Sequence, residues 1–198
     1  LLVEENMFGS GIANYRKQTS KRYVSSVFQG MYKKEIFDKI GLLDEKVGRV
    51  EDNELHYRIR KSGYKIRYSN DILSYQYTRP TVDRMLKQKY SNGYWIGKVS
   101  HVYPKAFSIF HFVPFVFVLG IIFSLLMLPL TKSFAVLLAV AYGLFTILVT
   151  LMTTINNKFN ATMLLIPILL FLVHFSYGVG TLVGLVKGFK WKKEYYKK

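Results

Sequence analysis

Two carboxylates stand side by side at Glu51 and Asp52, heading the run Glu51-Asp52-Asn53-Glu54-Leu55. A carboxylate fixed at a helix start can take a proton from a hydroxyl nucleophile, as general-base catalysis requires. The position also suits a simpler task, because acids in a first helical turn accept free backbone amides and favour the helix dipole. A second group follows at Gln88-Lys89-Tyr90-Ser91-Asn92-Gly93-Tyr94-Trp95, which brings an amide, a cation and an indole into one stretch. Such groups could hold a phosphate and stack on a sugar face, or form the aromatic belt of a membrane interface. Arg79, Arg84 and Lys89 add positive charge suited to a diphosphate or to anionic lipid.

Other chemistries find less support. No Asp-x-Asp occurs, and its nearest variant, Asp52-Asn53-Glu54, falls inside a predicted helix instead of a metal-binding loop. His56, His101, His111 and His174 are scattered without metal-ligand spacing and read as surface or interface residues. Gly9-Ser10-Gly11 lacks the Lys and Ser/Thr of a phosphate loop. With no cysteine, disulfides, thiolate metal sites and cysteine nucleophiles are excluded. The net charge of +16 favours anionic lipid and phosphorylated substrates. No basic recognition helix, zinc-finger spacing or aromatic RNA motif points to nucleic acid.

The elements that must position these residues are legible in part. Val24–Tyr32 reads as a strand and Lys33–Ile40 as a short helix stopped by Gly41. After the loop Gly41–Val50, a helix runs from Glu51 to Ser62, with acids in its first turn, bases in its last and Gly63 beyond. Tyr64–Ser69 and Ile72–Tyr77 read as strands, and Pro80-Thr81 opens an amphipathic helix towards Gly93 with Met85, Leu86 and Tyr90 on one side. Mixed helices and strands indicate an α/β portion.

The last part of the chain is different. Between Ala106 and Val186 only Lys132 and Lys158 carry charge. Charged side chains cost roughly 2.5–3.5 kcal/mol each at mid-bilayer, so this pattern marks a membrane region. Three segments, Ala106–Leu130, Phe134–Ile155 and Ala161–Val186, each reach the roughly 20 residues needed to span hydrocarbon. Pro114, Pro129 and Pro167 fall where membrane helices tolerate kinks. Basic residues crowd both flanks, which the positive-inside rule would place on one face, the cytoplasmic one. Three complete crossings would separate them. Either the basic tail is an exception or one segment is interfacial or re-entrant, and the first, with Ser108, His111 and Pro114 near its start, is the candidate.

Four stretches occur in a recognisable order: GSGIANYRK at 9–17, QGMYKKEIFDKIGLLDE at 29–45, EDNELHYRIRKSGYKI at 51–66 and TRPTVDRMLKQKYSNGYW at 78–95. Together they resemble the C-terminal half of membrane family 2 glycosyltransferases, in particular the succinoglycan-biosynthesis type, over about residues 6–95. The resemblance implies a GT-A, Rossmann-like fold, here its acceptor-side C-terminal part over 1–105. An all-α transmembrane region of about three helices with a basic tail occupies 106–198. It further implies an inverting enzyme with a nucleotide-diphospho-sugar donor and a polysaccharide or lipid-linked acceptor. Asp52 maps onto the base and Glu51 onto its acidic neighbour. The QxxRW-type motif is matched loosely: Gln88 and Trp95 are seven apart and no Arg precedes Trp95. Their implied roles are donor diphosphate for Gln88 and acceptor sugar for Trp95, with Arg79, Arg84 and Lys89 as diphosphate neighbours. Mg²⁺ or Mn²⁺ is implied at an Asp-x-Asp expected upstream of Leu1, so this portion alone is expected to be inactive. The implied location is the plasma membrane, with membrane lipid as partner and the catalytic part cytoplasmic. The rival is a non-catalytic membrane subunit that binds anionic lipid or a partner enzyme. A channel is disfavoured because the apolar region contains no acidic residue.

Overall fold

Capping signals placed the first helices well. The computed structural model describes residues 23–72, 77, 79–157 and 159–197. Helix α1 spans Lys34–Ile40, and Gly41 ends it at φ 80, its N–H donating to the Phe37 carbonyl at 2.8 Å. Helix α2 spans Glu51–Lys61, with Gly63 at φ 86 two residues beyond. Only glycine adopts such angles without a Cβ penalty.

The strands are shorter than expected. Val24–Tyr32 reduces to β1, Tyr23–Val24, and Tyr64–Ser69 to β2, Ile66–Arg67. They pair antiparallel, Tyr23 opposite Arg67 and Val24 opposite Ile66. Gln29 at φ 52 breaks the extended path after β1, and residues 25–30 fold over α2 instead. The expected strand at Ile72–Tyr77 lies for the most part outside the described residues, as does Gly9-Ser10-Gly11. The described residues are mostly helical, and a Rossmann-like sheet is not evident among them. Val24, Leu55, Ile59 and Ile66 form a small core, with Tyr32, Ile36 and Phe37 packed on it.

His56, expected at a surface or interface, is the polar centre of that core. It is fully buried, with Ser26 Oγ 2.9 Å from Nδ1 and Tyr32 Oη 2.8 Å from Nε2. Burial, with the charge of Arg60 added, lowers its pKa to about 4, so the ring is neutral at pH 7.

Helix α3 spans Val82–Val99, past the expected stop at Gly93. Thr81 caps it by accepting the Arg84 N–H. Helices α4 (Val113–Met127), α5 (Ser133–Asn156) and α6 (Ile166–Tyr195) follow. The stretches Ile109–Met127, Ser133–Asn156 and Ala161–Tyr195 are long and apolar enough to cross a membrane. Their outer faces carry exposed apolar side chains, such as Leu137 at 67% and Ile155 at 82%, which lipid tolerates and water does not. The first stretch begins with a short 3₁₀ turn, Ile109–Phe112, in which Ser108 and His111 form a reciprocal cap. Pro114 and Pro167 sit in the first turns of α4 and α6, where a missing N–H costs nothing, so neither kinks a helix. The basic tail expected after Val186 is helical, a continuation of α6 to Tyr195, giving a helix about 45 Å long at 1.5 Å per residue.

Helices α3 and α6 touch backbone to backbone. A Cβ added at Gly93 or Gly97 would overlap the carbonyl oxygens of Tyr177 and Thr181, and one at Gly180 or Gly184 those of Tyr90 and Tyr94. Two glycines four apart on each helix leave a flat seam, the small-xxx-small device of helix pairs in membranes. Ser176 Oγ donates to the Leu86 carbonyl at 2.9 Å, and His101 Nε2–H to that of Leu185 at 2.8 Å. At the start of α3, Met85 packs with Val149, Met163, Ile166, Leu170 and Val173. This seam joins the α2 unit to the apolar helices.

Two predictions follow from this packing. Gly184→Ala should force the helices apart and cost about 1–3 kcal/mol, as overpacking does. Gly143→Ala, where nothing lies within 4 Å of the new methyl, should be neutral or slightly stabilising; melting temperatures in detergent compare the two. The second concerns pH. His56 binds its proton more weakly folded than unfolded, so its contribution is complete above pH 6.5 and is lost as pH falls towards about 4. At 1.36 kcal/mol per unit, the loss is at most about 3 kcal/mol. Asp52, whose carboxyl pKa is raised, acts with the opposite sign and offsets part of it. His56→Gln should flatten the acid side of the stability–pH curve.

Candidate active site

The three acids at the head of α2 have separate fates. Glu54 is fully buried and paired with Arg58, which donates from Nε at 2.5 Å and from Nη2 at 2.8 Å. The same guanidinium donates to the carbonyls of Ile40 at 2.6 Å and Leu42 at 2.9 Å, which fixes the end of α1. Glu54 is therefore a structural anchor, and a bidentate one. Glu51 is exposed. Asp52 lies between these extremes, half-buried on the face that His56 continues one turn later.

Asp52 Oδ1 accepts the Asn53 backbone N–H at 2.7 Å and its side-chain amide at 3.1 Å. It thus does some of the amide-satisfying work that the sequence allowed. Its pKa is nonetheless raised, because burial outweighs those bonds and the nearby charge of Arg49. A carboxylate made more basic in this way is better matched to accept a proton near neutral pH. The residue before the acid pair, Val50, sits in the left-handed region at φ 64 with no side-chain cap. For a β-branched residue this is a true outlier, and such strain persists only where the surroundings impose it.

Contacts at both ends and near the middle of the loop impose it. Arg58 holds one end of the loop Gly41–Val50, as described above. Near its middle, Asp44 accepts the Tyr195 hydroxyl, whose oxygen is also 2.7 Å from that of Tyr103. Lys46 Nζ donates to the Tyr195 carbonyl at 2.8 Å. At the far end, Val47 and Val50 pack with Ile96, Val99 and Phe107. The last turn of α6 thus grips the loop that aims Asp52.

Next to this lies a shallow, open cleft of about 310 Å³ lined by Arg49, Arg79, Arg84, Lys87, Gln88 and Ser91. Arg49 Nε donates to Asn92 Oδ1 at 2.6 Å, and Arg79 Nε to Gln88 Oε1 at 3.2 Å. Lys87 is paired with Asp83 at 3.0 Å. The planar guanidinium groups retain terminal N–H donors suited to phosphate oxygens. The structure therefore brings Arg79, Arg84 and Gln88 together, and Arg49 connects them to Asp52.

Two expected members lie elsewhere. Lys89 is only 5% exposed and does not line the cleft, because one residue along a helix turns the side chain about 100° away from Gln88. Trp95 is half-buried in the cluster around Val47 and Ile96. A Cβ on Gly48 would stand 2.6 Å from its ring, and Lys98 Nζ lies 4.4 Å from the ring centroid. There it packs against the loop Gly41–Val50. Arg49, Lys87 and the group around His56 escaped the sequence reading. His56 had a signal, since it falls between Leu55 and Ile59 on the apolar face of α2. Among the described residues, no three His, Asp or Glu side chains converge as metal ligands.

No family model and no solved structure matches the chain. A curated protein of Methanococcus voltae is 29% identical over 167 residues, which is 84% of this chain. It is the dolichyl N-acetyl-α-D-glucosaminyl phosphate 3-β-D-2,3-diacetamido-2,3-dideoxy-β-D-glucuronosyltransferase. The match covers 49% of that protein, so the chain spans about half the length of a glycosyltransferase to which it is similar.

Proposed function

We propose that this chain is the acceptor-side and membrane portion of an inverting, family 2 type glycosyltransferase with a GT-A donor half. The observation that carries the reading is the half-buried, basic Asp52 beside a cationic cleft, on a unit fastened to membrane-length helices. The name of the Methanococcus voltae relative supports a sugar acceptor carried on a lipid phosphate.

In this reading an acceptor hydroxyl gives its proton to Asp52 while its oxygen attacks the anomeric carbon of a nucleotide-diphospho-sugar. The bond from that carbon to the diphosphate breaks, the diphosphate leaves with the electron pair, and the configuration inverts. The cations of Arg49, Arg79 and Arg84 offset the charge developing on the leaving group, an electrostatic task that pre-set donors perform well. Among the described residues no three acidic or histidine side chains converge as metal ligands, and in this reading Mg²⁺ or Mn²⁺ would be held by an Asp-x-Asp of the donor half. A catalytic portion facing the cytoplasm at the plasma membrane accords with the basic residues between Arg79 and Lys105 that precede the membrane region.

The deciding experiment uses Asp52→Asn in the full-length protein. Asn keeps the side-chain oxygen that accepts the Asn53 amides, so stability should change by less than about 1 kcal/mol. Transfer should fall by roughly 10² or more, because an amide cannot take the proton. Glu51→Gln, at an exposed position, should lose far less. A folded Asp52→Asn protein with near-parent transfer rates would remove Asp52 as the base. Arg84→Gln should lower transfer about tenfold, the equivalent of one lost charge-assisted bond of about 1.4 kcal/mol. Initial rates at several donor concentrations check this.

A further inference from the structure

Helix α6 has the length and composition to cross a membrane, yet the polar helix α3 accompanies it over most of that length. The two run in the same direction. Met85 packs with Ile166 and Leu170, the Leu86 carbonyl accepts the Ser176 hydroxyl, Gly93 and Gly97 lie against Tyr177 and Thr181, and His101 donates to Leu185. This register puts Arg84 to Asn92 beside Leu172 to Gly180, the middle of the apolar run Ile166–Val186. Arg49 is bonded to Asn92 there, and the cationic cleft opens at the same level. Were α6 to cross the bilayer, Arg49, Arg79 and Arg84 would stand at mid-membrane, at a cost of roughly 2.5–3.5 kcal/mol each. The opposite side of α6 is apolar. Ile168, Phe171, Phe175, Val186 and Phe189 are all exposed. At about 100° per residue they fall within about 60° of one another, and about 150–170° from Gly180 and Gly184.

We propose that α6 is an interfacial helix that lies along the lipid surface, and that the α4–α5 hairpin alone crosses the bilayer. A helix with a polar partner on one side and an apolar stripe on the other fits the boundary of a bilayer. The stripe enters the acyl region, while α3 and the α2 unit stay in water. Ile109–Met127 and Ser133–Asn156, at 19 and 24 residues, are long enough for about 30 Å of hydrocarbon. Lys187, Lys190, Lys192 and Lys193, at the end of α6, then share a face with the basic residues of α3, as the positive-inside rule asks. The hairpin turn with Lys132 faces the other side. In this arrangement the stretch that fails to cross is the third instead of the first.

The chain has no cysteine, so single substitutions can be read one at a time in a full-length protein freed of any others. In sealed vesicles, a membrane-impermeant maleimide should label Asn160→Cys and Lys193→Cys from one face and Lys132→Cys from the other. Three crossings would put Lys193→Cys on the face of Lys132→Cys, and that result would overturn the proposal. Spin labels on Ile168→Cys, Phe175→Cys and Val186→Cys, all at exposed positions, then measure depth. They should lie within about 5 Å of one another, about 5–10 Å into the headgroup and acyl boundary. A helix that crosses or dips would grade them by up to about 1.5 Å per residue, or about 27 Å from Ile168 to Val186. Graded depths would overturn the proposal even where Asn160→Cys and Lys193→Cys label from the same face.

Discussion

The close approach of α3 to α6 is the constraint on which the remaining structure depends. Gly93 and Gly97 meet Gly180 and Gly184 with no side chain between the backbones. Close van der Waals contact along this seam, with the Ser176 and His101 hydrogen bonds, holds the two helices together. Because α3 also carries Arg84, Gln88 and Asn92, the seam fixes the floor of the cationic cleft relative to the membrane helices. It also brings the last turn of α6 beside the loop Gly41–Val50.

That loop is where membrane anchoring and candidate chemistry meet. Arg58 ties its start to α2, and Tyr195 grips Asp44 from the end of α6. Trp95 presses on Gly48 from α3. A β-branched residue does not adopt a left-handed angle without such restraint, and Val50 adopts it one residue before the acid pair. The orientation of Asp52 is therefore set by residues as distant in sequence as Tyr195.

The electrostatics around Asp52 balance two opposed influences. Burial makes the carboxylate more basic, while Arg49 and the Asn53 amide keep it ionisable. Arg49, the cation of the cleft that acts on Asp52, is hydrogen-bonded to Asn92 and not to the acid, so both charges remain usable. Glu54, four residues before Arg58 on the same helix, shows the alternative, a carboxylate committed entirely to an ion pair.

The sequence by itself determined the features that depend on neighbours along the chain. The starts and stops of α1 and α2, the Thr81 cap and the three membrane-length stretches follow from capping residues, glycine and the spacing of apolar side chains. The position of the acid pair at a helix head was legible for the same reason. Tertiary structure alone decided which of those residues share a site. The glycine seam joins residues 93–97 to 180–184, a pairing that no local periodicity encodes. Strands need partners, and β1 and β2 found only two residues of each other, so β-favouring composition overstated their length. Lys89 and Trp95 left the expected site because the face a helix presents depends on what packs against it. His56 passed from presumed surface to buried centre because Ser26 and Tyr32, distant in sequence, satisfied both of its nitrogens.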